Sequence, residues 1–190
     1  MHPQPNRRTT HAYGTPKNLL VYDRWGASGR PVVLLHGLFY DRTMWWPVAA
    51  DLGGSCTAVA VDLPGHGDSA RRDEYCLDRL THDLAMLLSR LDLRRAPILV
   101  GHAEAARVAE TFAAKYAVHS VITVAGAGLD DVPEAYRQFA VARPDQELAD
   151  AYRERLLPRQ TTATLQVDLG DSFPHLRDPA AFAALLRNVR

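Results

Sequence analysis

The residues Gly101-His102-Ala103-Glu104-Ala105 nearly repeat G-x-S-x-G, the pattern that holds a nucleophilic serine on a sharp turn between a strand and a helix. Ala103 takes the place of the serine, and a methyl group has no lone pair with which to attack a carbonyl. Glu104 follows it at the expected start of a helix, where the dipole favours the carboxylate form. That carboxylate would be a general base if it faced a pocket, or a solvated partner of Arg107 or Arg42 if it did not. His36, Asp62, His66 and His102 stand at strand ends or in the loops after them. Their spacing matches no metal-ligand pattern, so neither a metal nor a cofactor is expected.

Such residues need a scaffold, and the chain alternates strand and helix signals. Leu19 to Trp25 alternates apolar and polar side chains like an antiparallel edge strand, while Pro31–Leu35, Cys56–Asp62, Pro97–Val100 and Ser120–Gly126 read as buried strands. His36–Trp46 turns the chain into a helix, with Asp41 or Thr43 as cap and Gly53-Gly54 as its end. Leucines at helical spacing from Leu77 to Leu93 predict a second helix, and others are expected over residues 103–116 and around Pro144–Pro158. This alternation predicts an α/β fold, a mostly parallel sheet with helices on both faces.

With 190 residues, 47% of them hydrophobic and 23% charged, the chain is expected to form one core. Residues 1–17 are read as a flexible tail and 18–190 as a single domain. Equal numbers of acidic and basic residues leave a formal net charge of zero, which argues against nucleic acid or an anionic membrane as partner. No signal-peptide core or membrane-length apolar run is found, so a cytoplasmic location is expected. Cys56 and Cys76 imply no disulfide framework.

Four signatures in order make the resemblance specific: His36-Gly37-Leu38-Phe39 after one strand, Asp62–Ser69 (DLPGHGDS) after the next, the Gly101–Ala105 turn, and GDSFPHLRDPAAFAALLRNV near the end. Together they resemble the α/β-hydrolase family. That resemblance implies an oxyanion hole made by the backbone N–H of Leu38 or Phe39 and that of Glu104, and a Ser, Asp and His triad in chain order. Ser172 stands where the family has its catalytic histidine, with His175 at a framework position. The acid-bearing strand is not found between Gly126 and Thr164, and the lid is reduced. The triad is therefore expected to be degenerate by natural loss, because an engineered Ala103 alone would have left the base and acid in place. In the family His36 commonly braces loops, Asp62 and His66 tie their turn together, and His102 is buried behind the elbow.

Three readings of function remain open at this point. One is a non-hydrolytic protein that binds a small apolar or carbonyl ligand, or a protein partner, through His36, Phe39, Trp45 and His102. Another is a cyclase, lyase or isomerase that uses Glu104 or a nearby histidine, and the third is an esterase disabled at Ala103. Leu38, Phe39, Tyr40, Met44, Trp45 and Trp46 would expose an apolar patch if no lid covered them, although part of this cluster is expected to pack beneath the helix. A shortened sheet with an open edge makes a homodimer the expected assembly.

Overall fold

The computed structural model describes residues 7–91, 93–126, 134, 137, 145–156 and 173–189. Six strands form one sheet in the order β1-β2-β4-β3-β5-β6. They are β1 (Thr9–Tyr13), β2 (Leu20–Trp25), β3 (Arg30–Leu35), β4 (Cys56–Val61), β5 (Ile98–His102) and β6 (Ser120–Val124). The helices are α1 (Trp46–Leu52), preceded by a 3-10 turn at Arg42–Trp45, α2 (Leu77–Ser89), α3 (Ala105–Ala113), α4 (Gln146–Leu156), α5 (Pro174–Arg177) and α6 (Pro179–Asn188). The pairs β4–β3, β3–β5 and β5–β6 are parallel, whereas β1 and β2 run antiparallel to their neighbours.

The central strands are continuous apolar runs because both of their faces are covered. Val33, Leu35, Val59, Val61, Leu99 and Val121 pack into a core with α2, α3 and α4. Their alternates Val32, Leu34, Ala58, Ala60, Ile98, Val100 and Ile122 pack with Trp45, Val48, Leu52, Phe182 and Leu186 on the other face. The two-residue period of a strand thus sorts one sequence run into two cores. Register brings Leu35 level with Val61 and with Gly101. His36, Asp62 and the Gly101–Ala105 turn therefore leave the sheet along one edge.

Two expectations at the N-terminus are corrected. Residues 9–13 belong to β1 and not to a flexible tail, and β2 is consequently an interior strand, paired on both sides. The run Thr-Thr-His-Ala-Tyr carries no apolar face, and its side chains are exposed or half-buried. What holds it is the ladder with β2, a Thr10 hydroxyl that donates to Asp23 Oδ1 at 2.6 Å, and His11 stacked on Tyr22 at 5.2 Å.

Helix boundaries move for local reasons. Asp41 caps the 3-10 turn by accepting from the Thr43 N–H at 2.8 Å, and α1 stops at Leu52 as the two glycines suggested. α2 ends at Ser89, where Arg90 and Leu91 close onto Leu87 and Leu88 with tighter turn bonds. α3 starts only at Ala105, since Ala103 has φ +52° and lies outside the right-handed helical region.

Candidate functional site

Ala103 sits in the turn expected of a nucleophile. Its N–H donates to the Val124 carbonyl at 2.9 Å, and its own carbonyl accepts from Ala106 at 3.1 Å as α3 begins. The left-handed φ is unusual for a non-glycine residue and costs about 1–2 kcal/mol. Glycines make room for it. A Cβ built on Gly126 would lie 2.2 Å from the Ala103 Cβ, and one on Gly37 would lie 3.1 Å from it. At Gly101 an added Cβ would come within 2.6 Å of Ala106, so this glycine lets α3 approach β5 closely.

Phe39 is the other non-glycine residue with positive φ, at 73°. Of the residues expected to carry the oxyanion-hole amides, Leu38 or Phe39 and Glu104, Phe39 and Glu104 are also joined through α4. The Arg153 guanidinium lies 5.2 Å from the Phe39 ring centroid, and its Nε is 3.6 Å from Glu104 Oε1. The partner of Glu104 is thus neither Arg107 nor Arg42. Arg107 faces Glu110, and Arg42 is engaged elsewhere.

α4 is fastened beside this turn by one face. Leu148, Ala149 and Tyr152 are buried, and the Tyr152 hydroxyl donates to the Pro64 carbonyl at 2.7 Å. The Tyr152 ring packs edge-on to His66 at 5.1 Å and against Tyr75 at 4.7 Å. Asp145 begins the helix by accepting from the Leu148 N–H at 2.9 Å.

The histidines support the loops. The His36 Nε2 accepts from the Leu63 N–H at 3.0 Å, so Nδ1 carries the proton and donates to the Gly37 carbonyl at 2.8 Å. Burial pushes its pKa down to about 4. His66 donates from Nδ1 to the Pro64 carbonyl at 3.2 Å, and burial pushes it down to about 3. Both rings are therefore neutral braces at physiological pH. His102 is buried behind the turn, against Tyr40, Phe173 and His175. His175 is a framework residue held 4.3 Å from the Trp45 ring, with its pKa depressed well below the usual range by burial.

Asp62 belongs to an ion-pair hub centred on Arg42. It accepts from the backbone N–H groups of Arg42 and Asp68 at 2.7 and 2.9 Å and also receives the Arg42 guanidinium. Arg42 reaches Asp23 at 3.2 Å and Asp68 at 2.9 Å as well. Burial raises the Asp62 carboxyl to about 6 against the pull of these donors, which leaves it an anion at neutral pH. Local patterning gave no sign of this hub, because Asp23, Arg42 and Asp62 meet only when β2, β4 and the 3-10 turn are assembled.

The expected ligand contacts are redistributed. Trp45 is fully buried between His175 and Phe182, and His36 and His102 are equally enclosed, so the structure places all three in the packed framework. Phe39 remains half-buried at the mouth. The apolar patch does not form. Leu38, Tyr40, Met44 and Trp45 are buried, and the Trp46 indole N–H donates to Asp23 at 2.7 Å beneath Arg8. Among the described residues, Met86 is the large hydrophobic side chain left exposed. Ser172 and most of the stretch where the acid-bearing strand was sought lie outside the described residues. Among the described residues no His, Cys, Asp and Glu group is suited to a metal ion, and no helix is long and apolar enough to cross a membrane.

The sheet order, the strand-to-helix turn and the loop after β3 together define the fold class, and comparison with known sequences agrees. The alpha/beta hydrolase family model matches residues 32–189, and the chain belongs to that family. An uncharacterised protein of Mycobacterium tuberculosis is 30% identical over 201 residues, covering 96% of this chain and 57% of the relative. The dihydrolipoyllysine-residue acetyltransferase component of an acetoin cleaving system from Pseudomonas putida is 36% identical over 152 residues, which is 76% of this chain and 41% of that one. This chain therefore spans 57% of the length of the first relative and 41% of the second. Among solved structures, the Cif epoxide hydrolase from Acinetobacter nosocomialis superposes with a TM-score of 0.59 at 20% identity, over 65% of this chain and 39% of that chain. The epoxide hydrolase CorEH gives 0.57 at 26% identity, over 70% and 49%.

Proposed function

We propose that this chain is a non-hydrolytic member of its family, which holds a small carbonyl or apolar ligand, or a segment of a partner protein, at the mouth beside Ala103. The observation that carries the reading is a strained elbow kept without its nucleophile. Ala103 retains the left-handed turn, enclosed by Gly37 and Gly126, yet presents only a methyl group. With no acyl-enzyme possible at that atom, what remains is the amide cradle and the surface formed by Phe39, Glu104 and Arg153. The buried state of His36, His102 and His175 supports the same reading, because none of these rings reaches the elbow as an accessible base.

The test is Ala103→Ser assayed with an aryl acetate. The expected result is no burst and no turnover above the wild-type background, since a serine without an aligned base gains little. A stoichiometric burst from this single change would overturn the proposal and favour an esterase silenced at one atom. Altered chemistry remains as a second reading because Glu104 keeps an accessible carboxylate, 31% exposed, next to the cradle. A proton-transfer activity of this kind would be abolished by Glu104→Gln and left intact by Ala103→Gly.

A further inference from the structure

The opposite end of the sheet from Ala103 carries a cavity of about 580 Å³. It lies where β3 and β4 begin, and its walls come from Arg24 on β2, the turn Ala27–Gly29, Pro31, Thr57 and the loop that leads into β5. That loop contributes Leu91, Leu93, Arg94 and Arg95. Three guanidinium groups thus line one concave site, and no carboxylate is among the described residues that line it.

Several arginines elsewhere in this protein are ion-paired, although Arg8 lies over the Trp46 ring and Arg30 donates to the Ala96 carbonyl. Arg42, Arg71, Arg72, Arg107, Arg153 and Arg187 each face at least one Asp or Glu. The Arg24 Nε donates to the Gly26 carbonyl at 3.3 Å, and among the described residues Arg24, Arg94 and Arg95 face no carboxylate. In a chain with zero formal net charge, the described lining thus gathers three arginines without a carboxylate among them. Like charges held around one cavity repel, and an anion that enters relieves the repulsion. Planar guanidinium forks bind phosphate oxygens in pairs, and the volume is that of a small-molecule site. The Ser28 hydroxyl and the apolar sides of Pro31, Leu91 and Leu93 suit a phosphate that carries an organic group, while the Thr57 hydroxyl donates to the Ser28 carbonyl at 3.2 Å and holds that turn in place.

We propose that this cavity is a binding site for a small soluble phosphate-bearing ligand, independent of the elbow and of the function proposed there. Inorganic pyrophosphate is the probe, titrated into the full chain at low ionic strength and followed by calorimetry and by the thermal midpoint. Binding is expected to raise the midpoint. The double substitution Arg94→Gln and Arg95→Gln should weaken the affinity by about tenfold or more, as should Arg24→Gln to a smaller extent. Arg79→Gln, an exposed site on α2, removes the same single charge as Arg24→Gln but away from the cavity and should leave the affinity within about twofold. No binding by the wild type would overturn the proposal, as would equal weakening by Arg79→Gln and the cavity variants. A parallel arm uses phosphatidylglycerol vesicles. Arginine-dependent sedimentation with vesicles, in the absence of pyrophosphate binding, would show a membrane contact and overturn the proposal as well.

Discussion

At the residue scale, Ala103 and Arg42 show how position outweighs type. The Ala103 Cβ occupies the space that a side chain on Gly126 would need. Gly126→Ala should therefore destabilise the protein by about 1–3 kcal/mol through overpacking. Adding Ala103→Gly to that variant should recover part of the loss, a non-additivity measurable by a urea double-mutant cycle. Arg42 neutralises Asp23 and Asp62, both fully buried. Arg42→Met leaves those carboxylates uncompensated and should cost about 3–5 kcal/mol in chemical denaturation.

The buried histidines set the pH response. His36 and His66 hold a proton only below about 4 and 3 when folded, against an ordinary value of 6.5, and His175 is shifted the same way. Unfolding takes up protons in that interval, so the stability they contribute is complete above 6.5 and is lost as pH falls towards 4 and below. Asp62 opposes them. Its folded value of about 6 exceeds the ordinary 3.8, so its protonation favours the folded state as pH falls through 6. Three rings outweigh one carboxyl, and the urea midpoint should drop between pH 7 and pH 4.5. His66→Phe should flatten that slope.

At the scale of elements, α4 is the attachment to watch. It reaches the elbow with Arg153 and the loop after β4 with Tyr152, and its burial rests on Leu148, Ala149 and Tyr152. Tyr152→Phe keeps the ring contacts with His66 and Tyr75 and removes only the bond to the Pro64 carbonyl. The expected cost is about 1 kcal/mol, concentrated in α4 and visible as faster amide exchange there than in α2. α3 shows the other side of the same principle. Its helical pattern includes residue 103, but the turn takes that residue out of the helix to bring its side chain to the edge of the sheet.

At the scale of the whole molecule, the alternation of strands and helices was legible because burial on two faces leaves a mark in every central strand. Runs such as Val32–Leu35 and Val59–Val61 are apolar throughout, as strands covered on both faces require. β1 was not legible, since a strand held by ladder bonds at an edge needs no apolar period. The site was legible as positions along the chain: the Ala103 turn, the His36-Gly37 loop and the Asp62 loop. Its partners were not, because the contacts of Arg42 with Asp23 and of Arg153 with Glu104 join residues far apart in the chain.

From its own order of residues, this protein determined the α/β architecture, the family and an alanine at the tip of the turn, all of which depend on local period or on the identity of one side chain. Tertiary structure alone decided which of the candidate residues are accessible. Trp45, His36 and His102 resemble ligand contacts in a sequence, but enclosure between packed layers depends on every neighbouring element at once. The same assembly brought Arg24 from β2 together with Arg94 and Arg95 from a distant loop, a convergence of charge that no spacing along the chain records.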